Sequence, residues 1–237
     1  MALQEVEDFA RGMYTRVTDL WARHRQDLST GECGYALISG PPQYRPKLMI
    51  IGENPGFGAG DVGLKAHEES TWPAASYLPT ADWKLAIKLR AMFAEAGLLG
   101  LHDGAIMTNF LFFKSGSLAK AEPRAWADND PKLRKTLEHA CITELETFIR
   151  ISEPDKILVL GIGAFDRFAA VGHVVTEEKD IKGRRRLIVS GSLFGVPAIG
   201  IMHPTGNRID TSDIKRISRW LADHFPDQAD GDHDGKA

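Results

Sequence analysis

Cysteine, long apolar runs and net positive charge are all scarce in this chain, and each scarcity narrows what it can do. Only Cys33 and Cys141 occur among 237 residues, far apart in sequence. Two cysteines cannot form a four-cysteine metal or iron–sulfur site within one chain, and they offer no disulfide framework. The expectation is a pair of reduced thiols in a cytoplasmic protein, because disulfides are rare there. No apolar stretch approaches the roughly 18–20 residues of a membrane span. The opening MALQEVEDFARGMYTRV is charged and amphipathic, unlike a signal peptide, so no membrane partner is expected. The formal net charge is −3, and residues 227–237, with four Asp and one Lys, carry all of it. The rest sums to zero. Nucleic-acid binders are more often basic overall, so any DNA contact here must come from local patches.

What is present suits one α/β domain. Hydrophobic residues make up 43% and charged residues 26%, enough for a full core. The expected domain covers residues 1–226, followed by an acidic, disordered tail at 227–237 with almost nothing to bury. Helical spacing runs through 4–25, 82–96 and 133–151, with Gly97 as a stop and Pro131 as a start. A short helix is expected at 164–170. A last helix, capped by Asp210 or Ser212, runs to His224. Short apolar runs bounded by turn residues predict strands at 47–51 (KLMII), 105–108 (AIMT), 156–160 (KILVL), 186–190 and 198–202. Strands alternating with helices imply a mostly parallel sheet covered on both faces. Ligands bind beyond the carboxyl ends of such strands. Those ends carry Glu53 and Asn54, Asn109, Gly161–Gly163, and His203, so the polar residues fall where this architecture puts a site.

Three segments carry chemistry. IIGENPGFGAG pairs a carboxylate, Glu53, with an amide, Asn54, on a loop stiffened by Pro55. Its glycines let a ligand approach the backbone. It is no dinucleotide fingerprint, because Asp61 stands at the third glycine, and no Lys-Ser/Thr pair follows to make a P-loop. GIMHPTGNR holds the His203 imidazole at a strand end, where it can donate a hydrogen bond to developing negative charge. In IMTNFLFFKSGS, Asn109 offers donor and acceptor from one amide, which suits a base edge. Phe110, Phe112 and Phe113 read as core. Lys182, Arg184, Arg185 and Arg186 read as a solvated hairpin tip. Arg208, Lys215, Arg216 and Arg219 follow the HPTG loop and are candidates for phosphate contact.

Taken together, the segments resemble the uracil-DNA glycosylase superfamily. They comprise a G-x-N-P-G loop after the first strand, Thr108-Asn109 after the second, LGIGAF after the third, and His203-Pro204-Thr205 before the last helix. The resemblance spans roughly 45–224 and mixes branches. Gly52-Glu53, Thr108-Asn109 and LGIGAF are nearest the iron–sulfur branch, and Asn54-Pro55-Gly56 and Thr205-Gly206 are nearest the mismatch-specific one. It implies a three-layer sandwich around a central, mostly parallel four-stranded sheet. It also implies a monomeric DNA N-glycosylase that releases uracil or a related deaminated base by base flipping, without metal or cofactor. Asn54 would hold the attacking water, Glu53 would orient it or touch the sugar, and His203 would stabilise the departing base. Asn109 would pair with the flipped base, against Gly52. Phe57, Trp72 and Tyr77 are candidates for the stacking aromatic. Thr205, Gly206 and Arg208 would enter the minor groove. Two rival expectations are a fold relative that binds nucleic acid or nucleobases without cleavage, and an enzyme acting on free nucleosides.

Overall fold

Burial on both faces decides which segments of this chain become central strands. Met49, Ile50 and Ile51 in β2 (Met49–Gly52), and Ile157–Leu160 in β4, are wholly buried. Side chains alternate across a strand, so each of these supplies two cores. The computed structural model describes residues 2–57, 78–116, 125–168, 176–180, 183–206 and 209–225. On one face Met49, Ile51, Ile157 and Val159 pack against Met13 and Val17 of α1 (Ala2–His24) and Leu137, Cys141 and Leu145 of α4 (Pro131–Ser152). On the other, Leu48, Ile50, Leu158 and Leu160 meet Leu89, Met92 and Phe93 of α2 (Lys84–Glu95) and Ile217 and Leu221 of α6 (Thr211–His224). Each buried Leu or Ile is worth about 1.5–3 kcal/mol, so the two-sided strands anchor the fold. No helix among the described residues is long and apolar enough to cross a membrane.

Among the described residues the sheet has seven strands, in the order β1 (Ile38–Ser39), β3 (Ile106–Asn109), β2, β4, β7 (Val196–Ile201), β6 (Arg186–Leu193), β5 (Thr176–Lys179). This corrects the expectation of four strands, mostly parallel. β3, β2, β4 and β7 are parallel neighbours and form the middle. β1 adds antiparallel to β3, while β6 and β5 extend the other edge antiparallel. The physical reason is that β1 is two residues long and β5 reads TEEK, so neither shows an apolar run. α3 (Leu99–Asp103) leads into β3, and α5 (Ile162–Phe168) follows β4, starting two residues before the expected 164.

Helix ends follow their capping chemistry. Asp130 accepts hydrogen bonds from the Lys132 and Leu133 N–H groups, with Pro131 in the first turn. Gly97, at φ 73°, follows α2 in the left-handed region that glycine tolerates. Of the two expected caps for α6, Asp210 is the one used, in a reciprocal box with Asp213. Phe110, Phe112 and Phe113 are buried, as expected for core, and Cys33 and Cys141 are buried and not disulfide-bonded. Burial pushes the Cys141 thiol up to about 12. The 227–237 tail, Trp72, Tyr77, Lys182 and Arg208 lie outside the described residues.

Gly200 of β7 sets the distance between α5 and the sheet. A Cβ there would stand 2.8 Å from the Phe165 ring and from Val189 Cγ2. Gly163, on α5, has nothing within 4 Å of its Cβ position. Gly200→Ala is therefore expected to lower stability by about 1–3 kcal/mol through overpacking. Gly163→Ala should raise it by roughly 0.5–1 kcal/mol through helix propensity. Urea-unfolding midpoints of the two variants test this opposition in sign.

Candidate functional site at the carboxyl ends of the parallel strands

The chain passes from β2 to β3 on one side and returns to β4 on the other, so the strand order reverses between β2 and β4. Parallel sheets open a crevice at such a point. The four parallel strands present, in spatial order, Asn109 on β3, Gly52 and Glu53 on β2, Gly161 after β4, and His203 after β7. With neighbouring strands about 4.8 Å apart, the row from Asn109 to His203 spans roughly 14 Å.

The β3 side of this row is built by two loops that run together. Gly52 and Asn109 are register partners, and a Cβ on Gly52 would overlap the Asn109 Oδ1. Beyond the strands, Phe110 N–H donates to Gly52 O at 2.9 Å and Leu111 N–H to Glu53 O at 3.0 Å. Ser115 N–H donates to Pro55 O at 3.3 Å, beside a bridge between Gly56 and Ser115. Asn54 Nδ2 donates to Pro55 O and to Ser115 Oγ, both at 2.9 Å. With both amide hydrogens turned into the loop, Oδ1 is the part of Asn54 left to accept. Asn109 is half-buried, and its side chain has no hydrogen bond to other described residues. Phe57 ends the described part of the loop and is half-buried.

At the centre, Glu53 Oε1 lies 3.6 Å from Arg167 Nη1 of α5. Burial pushes the Glu53 carboxyl up, the Arg167 charge draws it back, and Glu138 adds to the rise. Arg167 Nη2 also donates to Glu138 Oε1 of α4 at 2.7 Å, an oxygen that accepts from Trp126 Nε1 at 2.8 Å.

On the β7 side, His203 is half-buried next to Gly161, whose Cβ position lies 4.0 Å from the His203 Cβ. Gly161 is at φ 111°, a conformation that L side chains rarely adopt. Thr205 holds the ring, its N–H at 3.3 Å and its Oγ1 at 3.0 Å from His203 Nδ1. A backbone N–H only donates, so Nδ1 accepts and the neutral ring carries its proton on Nε2. Burial lowers the His203 pKa and the Lys88 charge lowers it further. Lys88 itself donates to Pro204 O at 2.9 Å, which ties α2 to the HPTG loop. Gly206 N–H closes that loop on His203 O at 2.9 Å.

The expected residues thus fall into two groups on one edge. Asn109 lies against Gly52, with Asn54 two residues on in the same hydrogen-bonded loop, Thr205 and Gly206 are joined to His203, and Glu53, which follows β2, pairs with Arg167 of α5 between the two groups. Arg185 pairs with Asp180 and Asp213, Arg186 with Asp166 and Glu177, and Arg216 with Glu178. These three guanidiniums are therefore occupied within the protein. A cavity of about 300 Å³ between α1 and α4, bounded by Arg16, Cys141 and Glu144, involves no strand end. Ser115, Arg167, Glu138 and Lys88 were not among the expected site residues. The Ser115 signal lay in the KSGS run after Asn109, and that of Arg167 in the helix that opens at LGIGAF.

Compared with known proteins, the chain matches no family model. No curated protein matches it significantly.

Two outcomes follow from this geometry. The His203 titration, followed by NMR of its ring protons, should have its midpoint below the ordinary 6.5, and Lys88→Met should move it upward. The unfolded chain then binds the proton first, so the His203 contribution to stability begins to be lost near 6.5 and is lost as pH falls through the lower folded-state midpoint. Gly52→Ala should displace the Asn109 carboxamide and shift its side-chain NH2 resonances, while the loop signals of Thr205 and Gly206 stay in place.

Proposed function

We propose that the chain is a monofunctional DNA glycosylase of the uracil-DNA glycosylase type, acting on uracil or a related deaminated base. The observation that carries this reading is the row of Asn109, Glu53–Asn54 and His203 along one edge of four parallel strands, with the His203 proton on Nε2. On this reading the middle of the sheet and its two helical layers correspond to the superfamily's sandwich, and β1, β5 and β6 are additions at its edges.

The chemistry assigns one task to each group. A base in duplex DNA is out of reach, so the enzyme takes it out of the stack, at a cost of a few kcal/mol that is least for a mispaired base. The Asn109 amide, with no partner among the described residues, is free to pair with the Watson–Crick edge, and Gly52 leaves it room. Phe57 is the described aromatic at that end of the loop. The C1′–N bond breaks with its electron pair remaining on the base, leaving positive charge on the sugar. His203 Nε2–H donates to the base oxygen on which the negative charge gathers. Asn54 Oδ1 and the Glu53 carboxylate hold a water whose oxygen bonds to C1′, and its proton passes through Glu53 to solvent. The base anion takes a proton from solvent, so the products are a free base and an abasic sugar, with no covalent enzyme intermediate. Thr205 and Gly206, with Arg208 after them, lie on the loop that would enter the minor groove.

A base-release assay on uracil-containing single strands and G·U duplexes, with hypoxanthine and xanthine substrates beside them, tests the proposal. Release is expected from at least one. His203→Ala should then lower the single-turnover rate about 10²–10³-fold, the loss seen when one charge-stabilising donor is removed. Asn54→Ala should lower it without weakening substrate binding to the same degree. No release from any of these substrates overturns the reading. Binding without turnover that is unchanged by Asn54→Ala would point to a nucleobase-binding relative of the same fold.

A further inference from the structure

Arg167 is held on three sides. Its guanidinium lies 4.7 Å from the centroid of the Phe168 ring, and Phe168 stacks on the buried Phe110 at 4.7 Å and 19°. Along its edge, Nη2 donates to Glu138 Oε1, which Trp126 Nε1 fixes from the other side. The other terminal nitrogen, Nη1, is the one near Glu53, at 3.6 Å. Phe110 itself follows Asn109 and donates its N–H to Gly52 O. The stack that supports Arg167 therefore rests on the same strand end that builds the base-binding side of the crevice.

Two carboxylates share this one cation. Glu138 takes the closer contact, and its negative charge opposes ionisation of Glu53, as does burial. The guanidinium is the group that works in the opposite direction. The charged groups facing Glu53 are Arg167 from α5 and Glu138 from α4. With both carboxylates ionised the cluster carries a net negative charge, which repels phosphate. Arg167 is thus poorly suited to gripping the DNA backbone, although it is 40% exposed.

We infer that Arg167 is a positioning residue, locked between Phe168 and Glu138 so that it holds the Glu53 carboxylate ionised and turned into the crevice. The inference rests on the glycosylase reading for the use made of Glu53, and on geometry alone for the hold itself. Arg167 touches neither base nor sugar. Its effect passes through Glu53, whose carboxylate must be charged to hold and relieve the attacking water.

The experiment follows the Glu53 side-chain carboxyl by carbon-detected NMR across pH in the full-length wild type, Arg167→Gln and Arg167→Lys. Base release under single turnover is measured over the same pH range. Arg167→Gln keeps a planar group over Phe168 but removes the charge. The Glu53 midpoint should rise in it by roughly one pH unit, the scale of losing an opposite charge within about 4–6 Å. The acid limb of the rate profile should move up with it, while substrate binding above that limb is unchanged. Arg167→Lys restores charge and should return the midpoint most of the way. An unchanged Glu53 midpoint in Arg167→Gln overturns the inference, as does a uniform loss of rate at every pH that Arg167→Lys fails to rescue. Turnover is not needed for the titration. A wild type that releases no base but whose Glu53 midpoint responds to Arg167 refutes the glycosylase reading and leaves the positioning intact.

Discussion

The crevice depends on a side chain that is not there. Gly52 faces Asn109 across the β2–β3 ladder, and the Asn109 oxygen occupies the space a Cβ at 52 would need. Any other residue would push the amide away from the strand end. Around it the ladder continues past both strands, through Phe110 to Gly52, Leu111 to Glu53 and Ser115 to Pro55. The two loops become one hydrogen-bonded unit. Asn54 spends its donors inside that unit, and its oxygen is fixed in consequence. A polar site held by backbone hydrogen bonds needs little reorganisation when a ligand arrives, which is the condition under which fixed dipoles contribute most.

Burial explains both what the sequence revealed and what it hid. Strands buried on two faces must be apolar throughout, so β2, β3, β4 and β7 stood out as short hydrophobic runs. Their polar terminal residues, Glu53, Asn109 and His203, stood out for the same reason. The edge strands carried no such mark. Glu177, Glu178 and Lys179 of β5 are exposed, and β1 is a two-residue strand inside a proline-rich stretch, so the sheet proved wider and more antiparallel than the pattern suggested. The missed site residues share another cause. Glu138, Arg167 and Lys88 sit on amphipathic helices, where a charge reads as solvent-facing. Only the packing of α4 and α5 on one face, and of α2 against the HPTG loop, shows that these charges reach Glu53 and the Pro204 carbonyl.

Glu53 and His203 illustrate how neighbouring charges modify the effect of burial in two different ways. Burial disfavours the charged form of both, raising Glu53 and lowering His203. Their neighbours then diverge. At His203 the cation Lys88 works in the same direction as burial, so the ring is kept neutral with its proton on Nε2. At Glu53 the cation Arg167 works against burial and against Glu138, so the carboxyl pKa rises less than burial alone would raise it. On the proposed reading, breaking a glycosidic bond separates charge along this same line, positive on the sugar and negative on the base. A carboxylate at the β2 end and a neutral donor at the β7 end match that polarity. The placement of Arg167 and Lys88, two residues without a role in any motif, therefore sets how far each group departs from what burial alone would give.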